Sequence, residues 1–456
     1  MNKNSLIVVA LVAVLALMLV AIVLKMARLL GGNQSETKEA KLQLNYITVI
    51  VRISSPRVQP YIKPHALTYF SPQLIMSYSI FMAACTLISN HFLLSLLLFF
   101  STRLVSEAQA AGSSGRQKEL VPAMFVFGDS LIDSGNNNHL ASFAKANYYP
   151  YGIDFAGGPS GRFSNGYTIV DEIADLLGLP LVPPNSQTSG DAARHGVNYA
   201  SAAAGILEIT GRNFVGRIPF DQQIKNFEST LDQITDSLGG ADAAYDAMAR
   251  CIFFVGMGSN DYLNNYLMPD YSTRNQYDGE QFADLLARQY TRQLTSIYNL
   301  GARKFVINGV GSIGCIPSIL AESPSSRCSP DVDKLVMLFN SKVKAMVDTL
   351  NVDLPHAKFI YVDIYHMILD ILTDPKQYGF SVIDRGCCGI GRNSGQITCL
   401  PFQTPCANRD QYVFWDAFHP TAAVNIILAK KAFRGGADVV FPMNIHQLAN
   451  LELDPN

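Results

Sequence analysis

Short apolar runs alternate with longer amphipathic segments from about residue 121 onward. The apolar runs predict four strands, AMFVFG (123–128), CIFFVG (251–256), KFVING (304–309) and KFIYVD (358–363). Apolar residues at helical spacing predict four helices, over residues 167–177, 279–300, 332–350 and 422–433. Strands that are apolar on both faces and separated by helices are typical of a mainly parallel sheet that helices cover on both sides. The pattern therefore predicts an α/β fold for this part of the chain.

The N-terminal part of the chain has a different pattern. Residues 6–24 form an unbroken apolar run, LIVVALVAVLALMLVAIVL, which is long enough to span a bilayer. A second run, FLLSLLLFF at 92–100, is too short for a span and is followed by SEAQA at 106–110. An apolar region before such small residues predicts a secretory signal peptide over 82–110, with cleavage after Ala110.

These segments predict an extension over 1–81, a signal peptide over 82–110 and a globular domain over 111–456. The expected location is extracellular, because the signal peptide would direct secretion. In the alternative, residues 6–24 anchor the protein in a membrane and a linker follows them.

The charge of the chain narrows the classes of partner. Its 456 residues have a formal net charge of −2, and 16% of them are charged. Nucleic-acid-binding domains usually carry a concentrated basic surface. The nearly equal numbers of positive and negative charges therefore give no basis for a nucleic-acid partner.

Six of the eight cysteines cluster late in the chain, in sequence rich in glycine and proline. They are Cys315, Cys328, Cys387, Cys388, Cys399 and Cys406. No two of them have the C-x-x-C spacing of a zinc site. An even set of this kind predicts three disulfides in an oxidising compartment, although sequence alone does not fix the pairing. Cys315 with Cys328 is the first expected pair, and Cys251 is expected to be a buried free thiol.

Polar residues follow several of the predicted strands. Ser130 ends the run VFGDS, Asn260 follows the second strand, and Asp416 and His419 lie in WDAFHPT near the last helix. Ligands bind at the carboxyl ends of the strands in parallel sheets, so we expect these residues to meet at one rim. Ser130 is expected to begin a helix, and Pro420 is expected to be the first residue of the last helix.

Together these residues could perform acyl transfer. Ser130 would attack a carbonyl carbon, His419 would take its proton, and Asp416 would orient the imidazole. The Ser130 N–H, the Asn260 side chain and the N–H of a glycine, for which Gly205 is the candidate, would bind the oxyanion. Each residue also has a simpler interpretation as a helix cap, a turn residue or a surface pair. Their joint occurrence favours the catalytic one.

The same residues lie in four blocks that resemble the plant-type GDSL esterases/lipases of the SGNH hydrolase superfamily. The blocks are FVFGDSLIDSGNNN (125–138), NYASAAAGI (198–206), FFVGMGSNDYLNNY (253–266) and VFWDAFHPT (413–421). The resemblance covers about residues 120–440 and implies a flavodoxin-like, three-layer α/β/α sandwich. It also implies a Ser130–Asp416–His419 triad, an oxyanion hole of Ser130, Gly205 and Asn260, and neither a metal nor an organic cofactor.

Hydrolysis of acyl or lipid esters is the activity that the resemblance implies. The alternative is acyl transfer to an acceptor other than water, which the same triad would serve. A binding protein that keeps the fold without turnover is less expected. The reason is that four site residues are intact, Ser130, Asn260, Asp416 and His419. The sequence predicts neither the acyl chain length, the head group nor the oligomeric state.

Overall fold

The computed structural model describes residues 119–453. The predicted extension over 1–81, with its candidate membrane segment, and the predicted signal peptide over 82–110 lie outside the described residues. No helix within 119–453 is both long enough and apolar enough to cross a membrane.

A five-stranded sheet forms the centre of the domain, and a second sheet has two strands. The strands are β1 (Met124–Gly128), β2 (Ile252–Gly256), β3 (Lys304–Asn308), β4 (Lys358–Val362), β5 (Val382–Gly386), β6 (Tyr412–Phe414) and β7 (Val440–Phe441). The order in the large sheet is β1-β2-β3-β4-β7, with β1 to β4 parallel and β7 antiparallel to β4. Strands β5 and β6 pair in parallel in the small sheet.

The four parallel strands end at the same level. One phenylalanine from each strand lies in register with the next, Phe125, Phe253, Phe305 and Phe359. Their ring centroids are 5.3, 5.8 and 4.1 Å apart in that order, and all four side chains are fully buried. Such large apolar side chains contribute much of the stability of a core. This row fixes the register, so that the loops after the strands emerge side by side.

Helices cover both faces of the large sheet. The longer ones are α1 (Ile169–Leu177), α2 (Phe220–Leu238), α3 (Ala241–Arg250), α4 (Gly279–Asn299), α5 (Pro317–Glu322), α6 (Pro330–Asp353), α7 (Ile364–Thr373), α8 (Ala422–Arg434) and α9 (Ile445–Ala449). Helix α4 packs against α2 and α6, whereas α8 packs against α1, α7 and α9. The predicted three-layer α/β/α sandwich around a mainly parallel sheet is confirmed.

The four predicted strands and four predicted helices all form, with ends that differ by a few residues. Two local expectations are wrong. Ser130 does not begin a helix, because the amides of Ile132 and Asp133 close a single turn on the Asp129 carbonyl and the chain then leaves it. The Asp133 carboxylate accepts the next two free amides, those of Gly135 and Asn136, so the turn does not propagate.

The second wrong expectation concerns Pro420. This residue lies before α8, in a bridge with Phe414, and the amide of Trp415 donates to the carbonyl of His419. Helix α8 begins at Ala422 with Thr421 as its N-cap residue. The bridge keeps Pro420 extended and closes the loop that carries Asp416 and His419.

Candidate functional site

The predicted site residues meet at the carboxyl edge of the sheet. Ser130 lies two residues after β1, and Asn260 lies four residues after β2. His419 comes from the loop between β6 and α8, 289 residues from Ser130. All three line one cavity. The parallel topology therefore joins segments that are far apart in the chain.

A chain of hydrogen bonds connects three of these side chains. His419 Nε2 is 2.7 Å from Ser130 Oγ, and His419 Nδ1 is 2.8 Å and 2.9 Å from the two carboxylate oxygens of Asp416. Asp416 is fully buried and His419 is 7% exposed, whereas Ser130 is half-buried and faces the cavity. In this order the imidazole can take the proton of a hydroxyl while the carboxylate holds its other nitrogen.

Further donors fix the Asp416 carboxylate. The Tyr151 hydroxyl donates to Oδ2 at 2.6 Å, and the amides of Phe418 and His419 donate to Oδ1 at 2.9 and 2.8 Å. Burial acts to raise the pKa of Asp416, but the charge of His419 and these hydrogen bonds outweigh it, so the pKa lies below its usual value. Asp416 is therefore held as a carboxylate beside the imidazole.

Two nested disulfides form the wall behind Asp416. Cys387 pairs with Cys406 and Cys388 with Cys399, so one closed loop lies inside the other. The amides of Cys387 and Cys388 donate to the carbonyls of Phe414 and Trp415, which directly precede Asp416. Thr398, inside the inner loop, lies within hydrogen-bonding distance of the Tyr151 hydroxyl, at 3.3 Å. The disulfides thus connect the loop to the residues that hold the carboxylate.

The third disulfide joins Cys315 and Cys328, the pair expected first, and Cys251 is a buried free thiol. All six late cysteines are therefore in disulfides, which agrees with the predicted number. Within residues 119–453, no group of three or more His, Cys, Asp and Glu side chains could hold a metal ion.

Three N–H groups could bind a developing oxyanion. Within the described chain, the backbone amides of Ser130 and Gly205 donate to no other group. Unpaired buried amides such as that of Gly205 are rare in folded proteins. The Asn260 side-chain Nδ2 donates one hydrogen to the Ala204 carbonyl at 2.9 Å, and its second hydrogen remains available. These donors belong to the residues that the sequence predicted for this role.

Asn264 fixes which way the Asn260 amide points. Its Nδ2 donates to Asn260 Oδ1 at 2.5 Å, so the Asn260 nitrogen must face the other way. Asn264 lies in a π-helical turn, Tyr262–Tyr266, that follows a short α-helical turn, Ser259–Asp261. π-Helical turns of this kind are frequent at functional sites because they redirect side chains.

Asp261 holds the loop that carries Gly205. Its carboxylate accepts the amides of Ile206 and Leu207 and the Thr210 hydroxyl, at 2.8, 3.0 and 2.7 Å. A Cβ atom at Gly205 would lie 2.7 Å from both carboxylate oxygens, so only glycine fits there. Burial raises the pKa of Asp261 to about 6, and the three donors act in the opposite direction.

Sequence reasoning missed Tyr151, Asn264 and Asp261. Tyr151 is one of 20 tyrosines and no local motif distinguishes it. Asn264 and Asp261 lie within four residues of Asn260, and the spacing of Asn260 and Asn264 would have indicated an i,i+4 pair on one helical turn.

The cavity beside Ser130 is lined mainly by aliphatic and aromatic side chains. Phe143, Tyr148 and Phe214 lie on the side of β1, whereas Val310, Ile313 and Ile368 follow β3 and β4. Apolar cavities with a few convergent polar groups are typical of small-molecule sites. An ester with apolar groups on either side of its carbonyl would suit this lining.

Comparison with known proteins agrees with this arrangement. The family model described as GDSL-like Lipase/Acylhydrolase matches residues 124–432. A GDSL esterase/lipase of Arabidopsis thaliana is 65% identical over 332 residues, which cover 73% of this chain and 86% of the relative. A second from the same plant is 52% identical over 335 residues, covering 73% of this chain and 92% of the relative. A third is 51% identical over 337 residues, covering 73% and 93%. The chain therefore belongs to the family of GDSL-like lipases and acylhydrolases.

Proposed function

We propose that this carboxylic ester hydrolase cleaves acyl or lipid esters through a Ser130–His419–Asp416 triad and an acyl-enzyme. The observation that carries the proposal is the unbroken hydrogen-bond chain from Asp416 through His419 to Ser130 Oγ. Serine is a weak nucleophile unless an adjacent base takes its proton, and the 2.7 Å distance between Nε2 and Oγ suits that transfer.

The reaction begins with attack of Ser130 Oγ on the carbonyl carbon of the ester. His419 Nε2 takes the hydroxyl proton, and Asp416 stabilises the imidazolium that forms. When the tetrahedral intermediate collapses, the bond to the alcohol oxygen breaks and Nε2–H protonates the leaving alcohol. Water then attacks the acyl-enzyme with the same histidine as base, releasing the acid and restoring Ser130.

The negative charge on the carbonyl oxygen forms between the amides of Ser130 and Gly205 and the side chain of Asn260. Preset donors are effective in such a site because they need no reorganisation during the reaction. The Asp261 carboxylate accepts the amide of Ile206, next to Gly205, and the Asn264 side chain donates to Asn260 Oδ1. These two hydrogen bonds hold the Gly205 amide and the Asn260 side chain in position.

Substitution of the nucleophile tests the mechanism. We expect Ser130→Ala to lower turnover of acyl esters by at least about a thousandfold, as in other triads. A fluorophosphonate probe should label the wild-type protein at Ser130 and leave the variant unlabelled. Ser341→Ala is a matched control, because Ser341 is exposed and lies outside the cavity. Unlabelled Ser130 together with undiminished activity of the variant would contradict the mechanism.

Acyl transfer to an alcohol is the second candidate, because apolar side chains line the cavity on both sides of Ser130 and could admit an apolar acceptor. Analysis of products with a hydroxylated acceptor in competition with water separates the two activities. Free acid as the main product supports hydrolysis, whereas a new ester supports transfer.

We further propose that residues 111–456 form the hydrolase domain and that it acts outside the cytosol. Three disulfides among the described residues are typical of proteins that fold in an oxidising compartment. N-terminal sequencing of the native protein tests this proposal. A mature N-terminus near Ala111 supports secretion, whereas retention of residues 6–24 supports the membrane-anchored alternative.

A further inference from the structure

Exposed apolar side chains concentrate around the mouth of the cavity. Within the described part of the chain, eight of the thirteen large apolar side chains that are exposed lie in three segments, residues 139–153, 209–219 and 386–408. They include Phe143, Val215, Leu400 and Phe402. A ninth, Phe418, lies in the loop that carries His419. We call the three segments together with Phe418 the apolar rim. Large exposed apolar patches usually mark a surface that binds a partner.

Backbone hydrogen bonds join the three segments of the apolar rim into one surface. The amide of Phe143 donates to the carbonyl of Phe214 at 3.1 Å. The amide of Phe402 donates to the carbonyl of Tyr149 at 2.8 Å. Each segment also contributes to the lining of the cavity, through Phe143, Phe214 and Thr398 respectively. The surface is therefore continuous with the mouth of the cavity.

Two residues of the apolar rim adopt a backbone conformation that is unfavourable for their side chains. Val215 has a φ of 69° and Phe402 a φ of 63°, although their side chains are 60% and 87% exposed. Bulky and β-branched residues rarely adopt a positive φ, and strained residues of this kind cluster at functional sites. Phe402 lies inside the loop that the Cys387–Cys406 disulfide closes, so the conformation is held by its surroundings. An exposed side chain packs too little to offset such strain, which indicates a role outside the fold itself.

The three segments of the apolar rim carry positive charge and no negative charge. Their cations are Lys145, Arg212, Arg217 and Arg392, and none of the segments contains Asp or Glu. Lys145, Arg217 and Arg392 donate to backbone carbonyls rather than to carboxylates of the described chain. At an anionic bilayer, cationic side chains meet the head groups while aromatic and aliphatic side chains insert beside them. The composition of the apolar rim suits that environment.

We propose that the apolar rim binds the surface of an anionic lipid bilayer, with Phe143, Val215 and Phe402 inserted at the level of the head groups. The inference goes beyond the proposed function, because binding to a bilayer does not require turnover. A second copy of the chain is a less suitable occupant. In a symmetric dimer the same patch meets itself, so the four cations of one copy would face those of the other.

The experiment places a tryptophan on the apolar rim and measures whether lipid quenches its fluorescence. The chain has a single tryptophan, Trp415, and its side chain is fully buried, so the background signal is small. Phe402→Trp is made in the native protein together with Ser130→Ala, which is expected to leave the lipids intact. The vesicles contain phosphatidylcholine and phosphatidylglycerol with brominated acyl chains, which quench a tryptophan at the interface. A local readout is needed because residues 6–24, wherever the native protein retains them, would also bind vesicles.

We expect the brominated anionic vesicles to quench Phe402→Trp. Val352→Trp is the matched control and should stay unquenched, because Val352 is 83% exposed on α6, outside the apolar rim and the cavity. Vesicles of phosphatidylcholine alone should raise the lipid concentration for half-maximal quenching at least about tenfold, because the cations then lack anionic partners. A rise in salt from about 0.05 to about 0.5 M should act in the same direction by screening the charges.

Phe402→Asn tests the same position without a probe at it. Asparagine tolerates a positive φ, so the melting temperature should be no lower than that of the wild type. With Phe143→Trp as the reporter, Phe402→Asn should raise the lipid concentration for half-maximal quenching at least about tenfold, because a large apolar side chain no longer inserts. Val352→Asn is the control and should leave that lipid concentration unchanged.

Equal quenching of Phe402→Trp and Val352→Trp would overturn the inference, and quenching that depends on neither lipid charge nor salt would overturn the assignment to an anionic surface. A dimer that Phe402→Asn dissociates, without quenching by lipid, would assign the apolar rim to a second copy of the chain instead. A melting temperature of Phe402→Asn well below that of the wild type would show that Phe402 serves the fold, and would overturn its assignment to the bilayer. Failure of the proposed function is seen separately, because undiminished hydrolysis of a soluble ester by Ser130→Ala would overturn the mechanism without changing any of these readouts.

Discussion

Removal of the Asn264 side chain tests how the proposed oxyanion site is held. Asn264 donates to Asn260 Oδ1, and the Ala204 carbonyl accepts from Asn260 Nδ2. In Asn264→Ala the first contact is lost while the second remains, because a flipped Asn260 amide would place its oxygen against the Ala204 carbonyl. The amide is therefore held less firmly but keeps its preferred orientation.

The expected loss follows from the one hydrogen bond that is removed. A neutral hydrogen bond contributes about 0.5–1.5 kcal/mol, which corresponds to about a two- to twelvefold decrease in kcat if this whole free energy stabilises the transition state. Asn260→Ala removes the donor itself and should cost about a hundred- to a thousandfold. Asn264→Asp places an acceptor opposite Asn260 Oδ1, so the amide should turn over and the loss should approach that of Asn260→Ala.

The assay is steady-state hydrolysis of one ester by the three variants. The decrease should fall on kcat and leave KM nearly unchanged, because the oxyanion forms only in the transition state. Asn275→Ala is a matched control, since Asn275 is exposed in the short helical turn Thr273–Gln276. Wild-type kcat in Asn264→Asp would refute the reasoning, and so would a loss in Asn264→Ala as large as that in Asn260→Ala.

Two further predictions concern the wall behind Asp416. Tyr151→Phe should lower the free energy of unfolding by about 1.5–3 kcal/mol at pH 7, because it removes a hydrogen bond to a buried carboxylate. The pKa of Asp416 is lowered in the folded state, so its contribution to stability is present above the unfolded pKa and is lost as the pH falls through the folded one. The loss of unfolding free energy in Tyr151→Phe should therefore shrink on acidification, which denaturant titrations at several pH values would measure. Tyr148→Phe is the control, because the Tyr148 hydroxyl donates to the Cys399 carbonyl, and its loss should be smaller and constant with pH. A loss in Tyr151→Phe that is independent of pH would count against this account. Joint replacement of Cys388 and Cys399 by serine opens the inner disulfide loop and should lower the free energy of unfolding by about 3 kcal/mol. Thermal unfolding measures this loss, and Cys251→Ala is the control, because Cys251 forms no disulfide. An unchanged melting temperature of the double serine variant would show that other contacts hold the loop.

Much of the fold could be predicted from the sequence because its strands are apolar on both faces. Each of the four parallel strands has one buried phenylalanine in such a run, Phe125, Phe253, Phe305 and Phe359. The predicted helices have apolar residues at helical spacing. Strands β5 and β6 were not predicted, since β5 is only partly buried and β6 has three residues. Their pairing depends on contacts with the loop around Asp416 that no local pattern contains.

The candidate site was predictable only in part, for a similar reason. Ser130 and Asn260 follow predicted strands within a few residues, and Asp416 and His419 directly precede the predicted last helix, so the topology indicates that they meet. Tyr151 reaches Asp416 across 265 positions of the sequence through a loop without regular structure. The helix expected at Ser130 fails to form because Asp133 takes the amides that would continue it.

The distance of 289 residues between Ser130 and His419 along the chain also sets the order in which the active site is made. A ribosome adds about 5–20 residues per second, so about 15–60 s pass between synthesis of the serine and synthesis of its base. A nascent chain that has completed β1 through β4 contains the proposed nucleophile and the proposed oxyanion donors but neither Asp416 nor His419. Under the proposed mechanism the growing polypeptide therefore has no triad, and hydrolysis can begin only after Asp416 and His419 have been made and their loop has docked beside Ser130.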